Sequence, residues 1–363
     1  MKKVAVIGAG PSGITAIKNF IDEGFDVTAF ERCDGVGGNW RFNDPSGHSS
    51  VFETTHIISS KYTSFYEDYP LPDDASDYPS HKELLSYFDG YAEHFDIKKN
   101  IKFGTEVLSC KQLPNSRWLL KYKHLEGNDE ITLEFDALVV CNGHHHVPRY
   151  PEYKGEFSGE YIHSHDYKRA APFENKRVLV IGGGNSACDV AVETSRISQE
   201  TSLSWRRGYH LVPKFMYGLP ADVFAKRSRW IPQFLRIPFM KYMLERYQGK
   251  NEDIGLPKVT NKMLATHPTV NSDLYNAIRH GKVKPRPDIE SFSENTVNFV
   301  DGTSAEYDVV IACTGFKIKH SFFEKDLINF EEGPVPLLHK MLPADIKNPV
   351  SYTHLTLPTN LSV

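Results

Sequence analysis

The sequence predicts an α/β fold built from two copies of one unit, and three observations carry that prediction. Two apolar runs, Val4-Ala5-Val6-Ile7 and Val178-Leu179-Val180-Ile181, have no polar alternation, which is how a strand buried on both faces of a parallel sheet reads. Each runs straight into a G-x-G-x-x-G/A turn, Gly8-Ala9-Gly10-Pro11-Ser12-Gly13 and Gly182-Gly183-Gly184-Asn185-Ser186-Ala187. A helical pattern follows each turn, with Ile14, Ile17 and Ile21 after the first and Ala187, Val190, Ala191 and Thr194 in the second. A further pair of segments also matches, Glu134 to Gly143 and Glu306 to Gly315, at nearly the same offset as the glycine turns. The repeated unit therefore opens on a glycine-rich strand–turn–helix and closes on a buried strand ending in glycine.

Such a turn suits a dinucleotide. Gly8 permits the tight turn, Gly10 lets the backbone approach a pyrophosphate, and Gly13 lets the helix pack on its strand. Pro11 and Ser12 stand where the helix offers free N–H groups to the phosphates. Glu31 ends the strand Val27-Thr28-Ala29-Phe30. A carboxylate there accepts ribose hydroxyls and repels a 2′-phosphate, which predicts FAD or NAD at the first turn. At the second turn Gly182, Gly184 and Asn185 take the same roles, but Arg206 and Arg207 follow Leu203-Ser204-Trp205 in place of an acid. Guanidinium groups fit a 2′-phosphate by charge and fork geometry, which predicts NADP. The expected architecture is two Rossmann-like dinucleotide-binding domains, the NADP domain inserted into the FAD domain. Its expected divisions are 1–152 for FAD, 153–303 for NADP, and 304–348 as a return to the FAD domain.

Composition bounds the rest. The chain has 363 residues, 40% of them apolar, and a formal net charge of −4, which suits two globular domains and gives no sign of a nucleic-acid partner. Five scattered cysteines make no C-x-x-C pair; this predicts a reduced, cytoplasmic protein and speaks against a dithiol relay. Cys141, Cys188 and Cys313 read as small buried apolar residues. No stretch approaches a membrane span. His144-His145-His146 lacks supporting carboxylates or thiolates and reads as a linker rather than a metal site.

Together these segments resemble the flavin-containing monooxygenases. Phe157-Ser158-Gly159-Glu160-Tyr161-Ile162-His163-Ser164-His165-Asp166-Tyr167 matches that family's F-x-G-x-x-x-H-x-x-x-F/Y signature at Phe157, Gly159, His163 and Tyr167. Cys313-Thr314-Gly315-Phe316 resembles its second linker motif, and the likeness runs from residue 1 to about 348. The resemblance implies FAD and NADPH as cofactors, with dioxygen and a small nucleophilic substrate. In the implied cycle NADPH reduces FAD, and the reduced flavin takes up dioxygen as a C4a-hydroperoxide. An amine nitrogen or sulfide sulfur then attacks that species, the protein supplying orientation and water exclusion. The resemblance also implies FAD contacts at Gly38, Asn39, Trp40, Ser59, Val107 and Asn142. It implies NADP contacts at Ser186, Ala187, Cys188, Asp189, Thr314 and Gly315, and a structural rather than acid–base role for His163. Tyr167 stands where the related Baeyer–Villiger enzymes carry Trp, favouring heteroatom oxygenation; a Baeyer–Villiger enzyme and an oxidase-like or inactive flavoprotein are the alternatives. A homodimer is compatible with these features.

Two departures stand out. Ile58 occupies a position where many of these enzymes have Asn, and an isoleucine donates no hydrogen bond. From Pro349 to Val363 the chain shows no family likeness and reads as a non-native tail on a truncated frame, which would leave the FAD domain without its closing element. The segment from about 215 to 280 mixes Trp230, Phe234, Leu235, Phe239, Tyr242 and Tyr247 with Arg229, Arg236, Lys241 and Arg246. It reads as a helical insertion over the mouth of the site, with a helix lying on a membrane as the alternative; Pro232 and Pro238 argue against one long straight helix.

Overall fold

A computed structural model describes residues 1–263, 268–324 and 327, and the backbone of 337–338, 342–343 and 351–352. The chain divides into two compact units. One comprises Met1–Val51, Ser64–Val147 and the described residues after Gly315; the other comprises Phe52–Thr63 and Pro148–Gly315.

In the first unit the opening apolar run forms β1 (Lys3–Ile7), and the helix after the glycine turn is α1 (Pro11–Asp22). The remaining elements are β2 (Asp26–Phe30), α2 (His81–His94), β3 (Ile101–Lys102), β4 (Thr105–Gln112), β5 (Trp118–His124), β6 (Glu130–Phe135) and β7 (Ala137–Val140). Strand β1 pairs in parallel with β2 on one side (Ile7 opposite Phe30) and β7 on the other (Ile7 opposite Val140). Val4, Ala5 and Val6 are fully buried, as the unbroken apolar run requires; each of the two valines contributes about 1.5–3 kcal/mol on leaving water. Strands β4–β6 form a separate antiparallel sheet. Helix α2 starts on a full capping box, Ser80 with Glu83.

In the second unit β8 (Glu160–His163) precedes β9 (Arg177–Ile181), α3 (Asn185–Thr194) and β10 (Glu200–Ser204). Short strands β11 (Leu211–Val212), β12 (Phe215–Met216) and β13 (Leu219–Pro220) lead into α4 (Ala221–Arg227) and α5 (Gln233–Gln248). Then come β14 (Thr269–Val270), α6 (Leu274–Arg279), β15 (Val283–Arg286), β16 (Ile289–Ser293), β17 (Thr296–Phe299), β18 (Ser304–Glu306) and β19 (Val309–Ala312). The parallel sheet runs β15-β10-β9-β19-β8, while β16–β18 form an antiparallel sheet.

The internal repeat has a physical counterpart. Strand β19 pairs with β9 (Ala312 opposite Ile181) as β7 pairs with β1. This corrects the expected boundary at 303. Residues 304–315 do not rejoin the first unit but close the second sheet, because the buried strand Val309–Ala312 finds its partners in β9 and β8. The backbone at β20 (Leu337–Leu338), β21 (Leu342–Pro343) and β22 (Ser351–Tyr352) lies in the first unit. Strand β22 adds to β7 in parallel, Tyr352 opposite Val140, so part of the supposed tail extends the first sheet. The other residues of 349–363 lie outside the described ones.

Between 215 and 280 the chain forms two longer helices, α4 and α5, with short strands around them, and α5 runs through Pro238. The carbonyl that proline leaves without an N–H belongs to Phe234, an exposed residue of the helix's first turn. Leu244 is the buried residue of α5, whereas Trp230, Phe234, Leu235, Phe239, Tyr242 and Tyr247 are exposed.

Candidate functional site: two glycine turns

Each glycine turn is fixed by the strand that closes its unit. Gly8 has φ +96° and Gly182 φ +133°, in the region side chains avoid. A Cβ on Gly8 would collide with the carbonyl of Cys141, and one on Gly182 with the carbonyl of Cys313. The backbone bonds match in both copies. Gly8 N donates to Phe30 O at 2.8 Å and Cys141 N to Ile7 O at 2.7 Å; Gly182 N donates to Ser204 O at 3.0 Å and Cys313 N to Ile181 O at 2.8 Å. Both α1 and α3 start on a glycine that supplies no side-chain cap, and an uncapped helix N-terminus suits an anion. A Cβ on Gly184 would meet nothing within 4 Å. These turns and uncapped helix starts, with the open surface at Gly184, fit dinucleotide phosphate groups.

In the first unit the structure brings Glu31 to the turn. Its Oε2 accepts Ala9 N at 2.6 Å and its Oε1 accepts Cys33 N at 2.9 Å. Burial pushes its pKa up, against the pull of those two backbone bonds. The glycine-dense loop also reaches the turn: Gly37 N donates to Ala9 O at 3.0 Å, and Gly38, Asn39 and Trp40 form a 3-10 turn beside it. Asn39 is committed within the unit, its Oδ1 accepting Ser50 N and Ser50 Oγ, each at 2.9 Å. Asn142 follows β7 next to Gly8 and donates to Lys319 O at 3.3 Å. Val107 lies in β4 opposite Tyr122, at a bulge.

Ser59 and Ile58 lie in the segment 52–63, which belongs to the second unit. There Asp222 of α4 holds the segment, accepting Ser60 N at 2.7 Å and Ser60 Oγ at 2.9 Å.

In the second unit Arg206 and Arg207 follow β10 and are exposed. Arg207 Nε donates to Tyr209 Oη at 3.1 Å, with its guanidinium 5.3 Å from the Tyr209 ring centre. Asn185 and Ser186 open α3. Ala187 and Cys188 are fully buried, and the Asp189 carboxylate accepts Asn271 Nδ2 at 2.6 Å. The side chains of all three are carried towards the core by the twist of the helix after its first residues. Burial raises the Asp189 pKa to about 6. Thr314 and Gly315 are held by Arg149, whose Nη2 donates to Thr314 O at 2.9 Å and whose N donates to Gly315 O at 3.1 Å.

The signature residues pack rather than react. A Cβ on Gly159 would press on the Asp308 carbonyl and the Phe157 ring. Tyr167 is buried between Phe52, at 5.4 Å, and Phe173, at 5.7 Å. His163 is fully buried at the end of β8 and accepts His165 N at 3.1 Å through Nδ1. Burial lowers its pKa to about 4, against a hydrogen bond with the Gly315 backbone, so it is neutral near pH 7. All five cysteines are free and buried; burial pushes the Cys313 thiol up to about 12 and raises Cys33, Cys110 and Cys188, which removes them as nucleophiles. His48 and His146 stack at 4.6 Å; among the described residues no group of three His, Cys, Asp or Glu side chains could hold a metal ion. No helix among them is long and apolar enough to cross a membrane.

Two glycine turns on two parallel sheets, one with an acid and one with arginines, define a two-dinucleotide oxidoreductase. The chain belongs to the flavin-binding monooxygenase-like family, whose model matches residues 1–356 and so extends beyond the limit near 348 expected from the motifs. Its class uses FAD and NADPH. It is 36% identical over 365 residues to a mouse protein named dimethylaniline monooxygenase [N-oxide-forming] 2, covering 96% of this chain and 68% of that one. The fold is similar to S-allyl-L-cysteine S-oxygenase from Allium sativum, with TM-score 0.71, 22% identity, and 97% and 71% of the two chains covered. It is also similar to cyclohexanone monooxygenase from Rhodococcus sp. Phi1 bound to NADP+, with TM-score 0.62, 20% identity, and 87% and 71% covered.

Proposed function

We propose that this protein is an NADPH-dependent monooxygenase that oxygenates a soft nucleophile, an amine nitrogen or a sulfide sulfur, with FAD in the first unit and NADP in the second. The observation that carries this reading is the contrast at equivalent places in the two copies. Glu31 follows the strand beside β1, and Arg206 and Arg207 follow the strand beside β9. A carboxylate suits ribose hydroxyls, and exposed guanidinium groups suit a 2′-phosphate.

Gly8 to Gly13 with Glu31 would hold FAD, and Gly182 to Ser186 with Arg206 and Arg207 would hold NADP. The bound cofactors supply hydride transfer and oxygen activation. The chain's own residues bind and orient. The glycine turns present backbone N–H groups, Glu31 keeps its turn in register, and His163 stays neutral and packs the end of β8. Oxygenation of a heteroatom lone pair asks for no general base. Relatives named for N-oxide and S-oxide chemistry support the substrate class.

The test is product analysis under air with NADPH. Dimethylaniline and a thioether should gain one oxygen atom each by mass spectrometry. Hydrogen peroxide as the sole product would reject the reading, and conversion of cyclohexanone to its lactone in preference to either would replace it with Baeyer–Villiger chemistry.

A further inference from the structure

Residues 269–271 reach the second glycine turn at three successive points. Thr269 Oγ1 donates to Gly183 O at 2.8 Å, Val270 N donates to Asn185 Oδ1 at 2.7 Å, and Asn271 Nδ2 donates to Asp189 Oδ1 at 2.6 Å. Both Thr269 and Asn271 are buried. Their own backbone is anchored separately, Thr269 N to His210 O at 3.1 Å and Asn271 N to Val212 O at 2.9 Å. Asn271 Oδ1 also accepts Asp273 N at 2.9 Å and Leu274 N at 2.7 Å, fixing the start of α6. The segment is therefore a rigid edge laid along the turn, while the surface at Gly184 is open.

We propose that Thr269 and Asn271 are positioning residues for NADP, a role that rests on the NADP reading of the second unit. Three consecutive glycines, Gly182 to Gly184, carry no side chain to order them, and an unordered turn would have to be fixed by the ligand at the expense of affinity. The clamp orders the turn beforehand by gripping it from behind, at a carbonyl, a side-chain amide and the first turns of α3. The N–H groups on the open side are thereby aimed before any phosphate arrives.

The test measures NADP+ binding calorimetrically on the whole chain and steady-state constants with NADPH. Thr269→Val removes one hydroxyl at constant shape, and Asn271→Asp keeps the acceptor for α6 but sets a second carboxylate against Asp189 in place of the donor. Thr269→Val should weaken NADP+ about ten-fold, the loss expected for one buried hydrogen bond, and Asn271→Asp by at least as much. KM for NADPH should rise with kcat and flavin content unchanged, and Thr269→Ser should restore binding. If Asn271→Asp fails to fold, the Thr269→Val and Thr269→Ser pair decides. Variants that fold and bind NADP+ like the parent overturn the inference alone. A parent chain that binds no NADP+ overturns the NADP reading and the inference with it.

Discussion

The Glu31 carboxylate sits on the first glycine turn, accepting Ala9 N at 2.6 Å while its second oxygen holds Cys33 N at 2.9 Å. The acid thus clasps the loop that it is expected to serve. Glu31→Gln replaces one acceptor with an NH₂ facing a backbone N–H. Two buried donors would then oppose each other, at a cost of about 1–3 kcal/mol. The variant should melt earlier and lose flavin, read as the ratio of flavin to protein absorbance after purification; full retention would contradict the role.

Arg206 and Arg207 should set nucleotide choice. Replacing both with Gln should weaken NADP+ by about 10–100-fold, the range for losing charge-assisted bonds to a phosphate, and leave NAD+ nearly unchanged. Arg206→Gln alone should cost more than Arg207→Gln, because Arg207 is partly engaged with Tyr209. Calorimetric titration with both nucleotides checks this.

The glycines of the second turn should divide by environment. Gly182→Ala forces a Cβ against the Cys313 carbonyl at φ +133°, and should cost about 3 kcal/mol or more in thermal unfolding. Gly184→Ala meets no protein atom and should melt normally while binding NADP+ less well.

His163 should govern part of the acid response. Its folded pKa of about 4 lies below the ordinary 6.5, so the unfolded chain takes up the proton first. Its contribution, up to about 3 kcal/mol, is present above pH 6.5 and is lost as pH falls towards 4. Asp189, raised to about 6, works in the opposite sense: it favours the fold below pH 4 and loses that contribution as pH rises through 6. Comparing the parent with His163→Gln in calorimetric melts between pH 4.5 and 7.5 isolates the histidine. A variant with the same acid limb as the parent would contradict its buried neutral state.

The repeat was legible because buried parallel strands and their glycine turns leave a local trace: Val4–Gly13 and Val178–Ala187 announce themselves without any neighbour. The partner of a strand leaves no such trace. The match of 306–315 to 134–143 implies that β19 closes the second copy as β7 closes the first, which places the end of the second unit beyond 303. Cys188 and Asp189 follow the turn in sequence, but the helical twist carries them inward. The grip of Thr269 and Asn271 on residues 183–189 is long-range, so no local pattern marks it. The antiparallel sheets β4–β6 and β16–β18 leave a mixed trace: β5 alternates, burying Trp118, Leu120 and Tyr122, whereas Glu130–Phe135 buries only Phe135.

The central claim is that two nucleotide sites of different selectivity share this chain, and an anaerobic titration of the purified protein with NADPH and, separately, NADH tests it most directly. The flavin absorbance should bleach much faster with NADPH. Equal rates with the two nucleotides, or a bound flavin that neither one reduces, would contradict it.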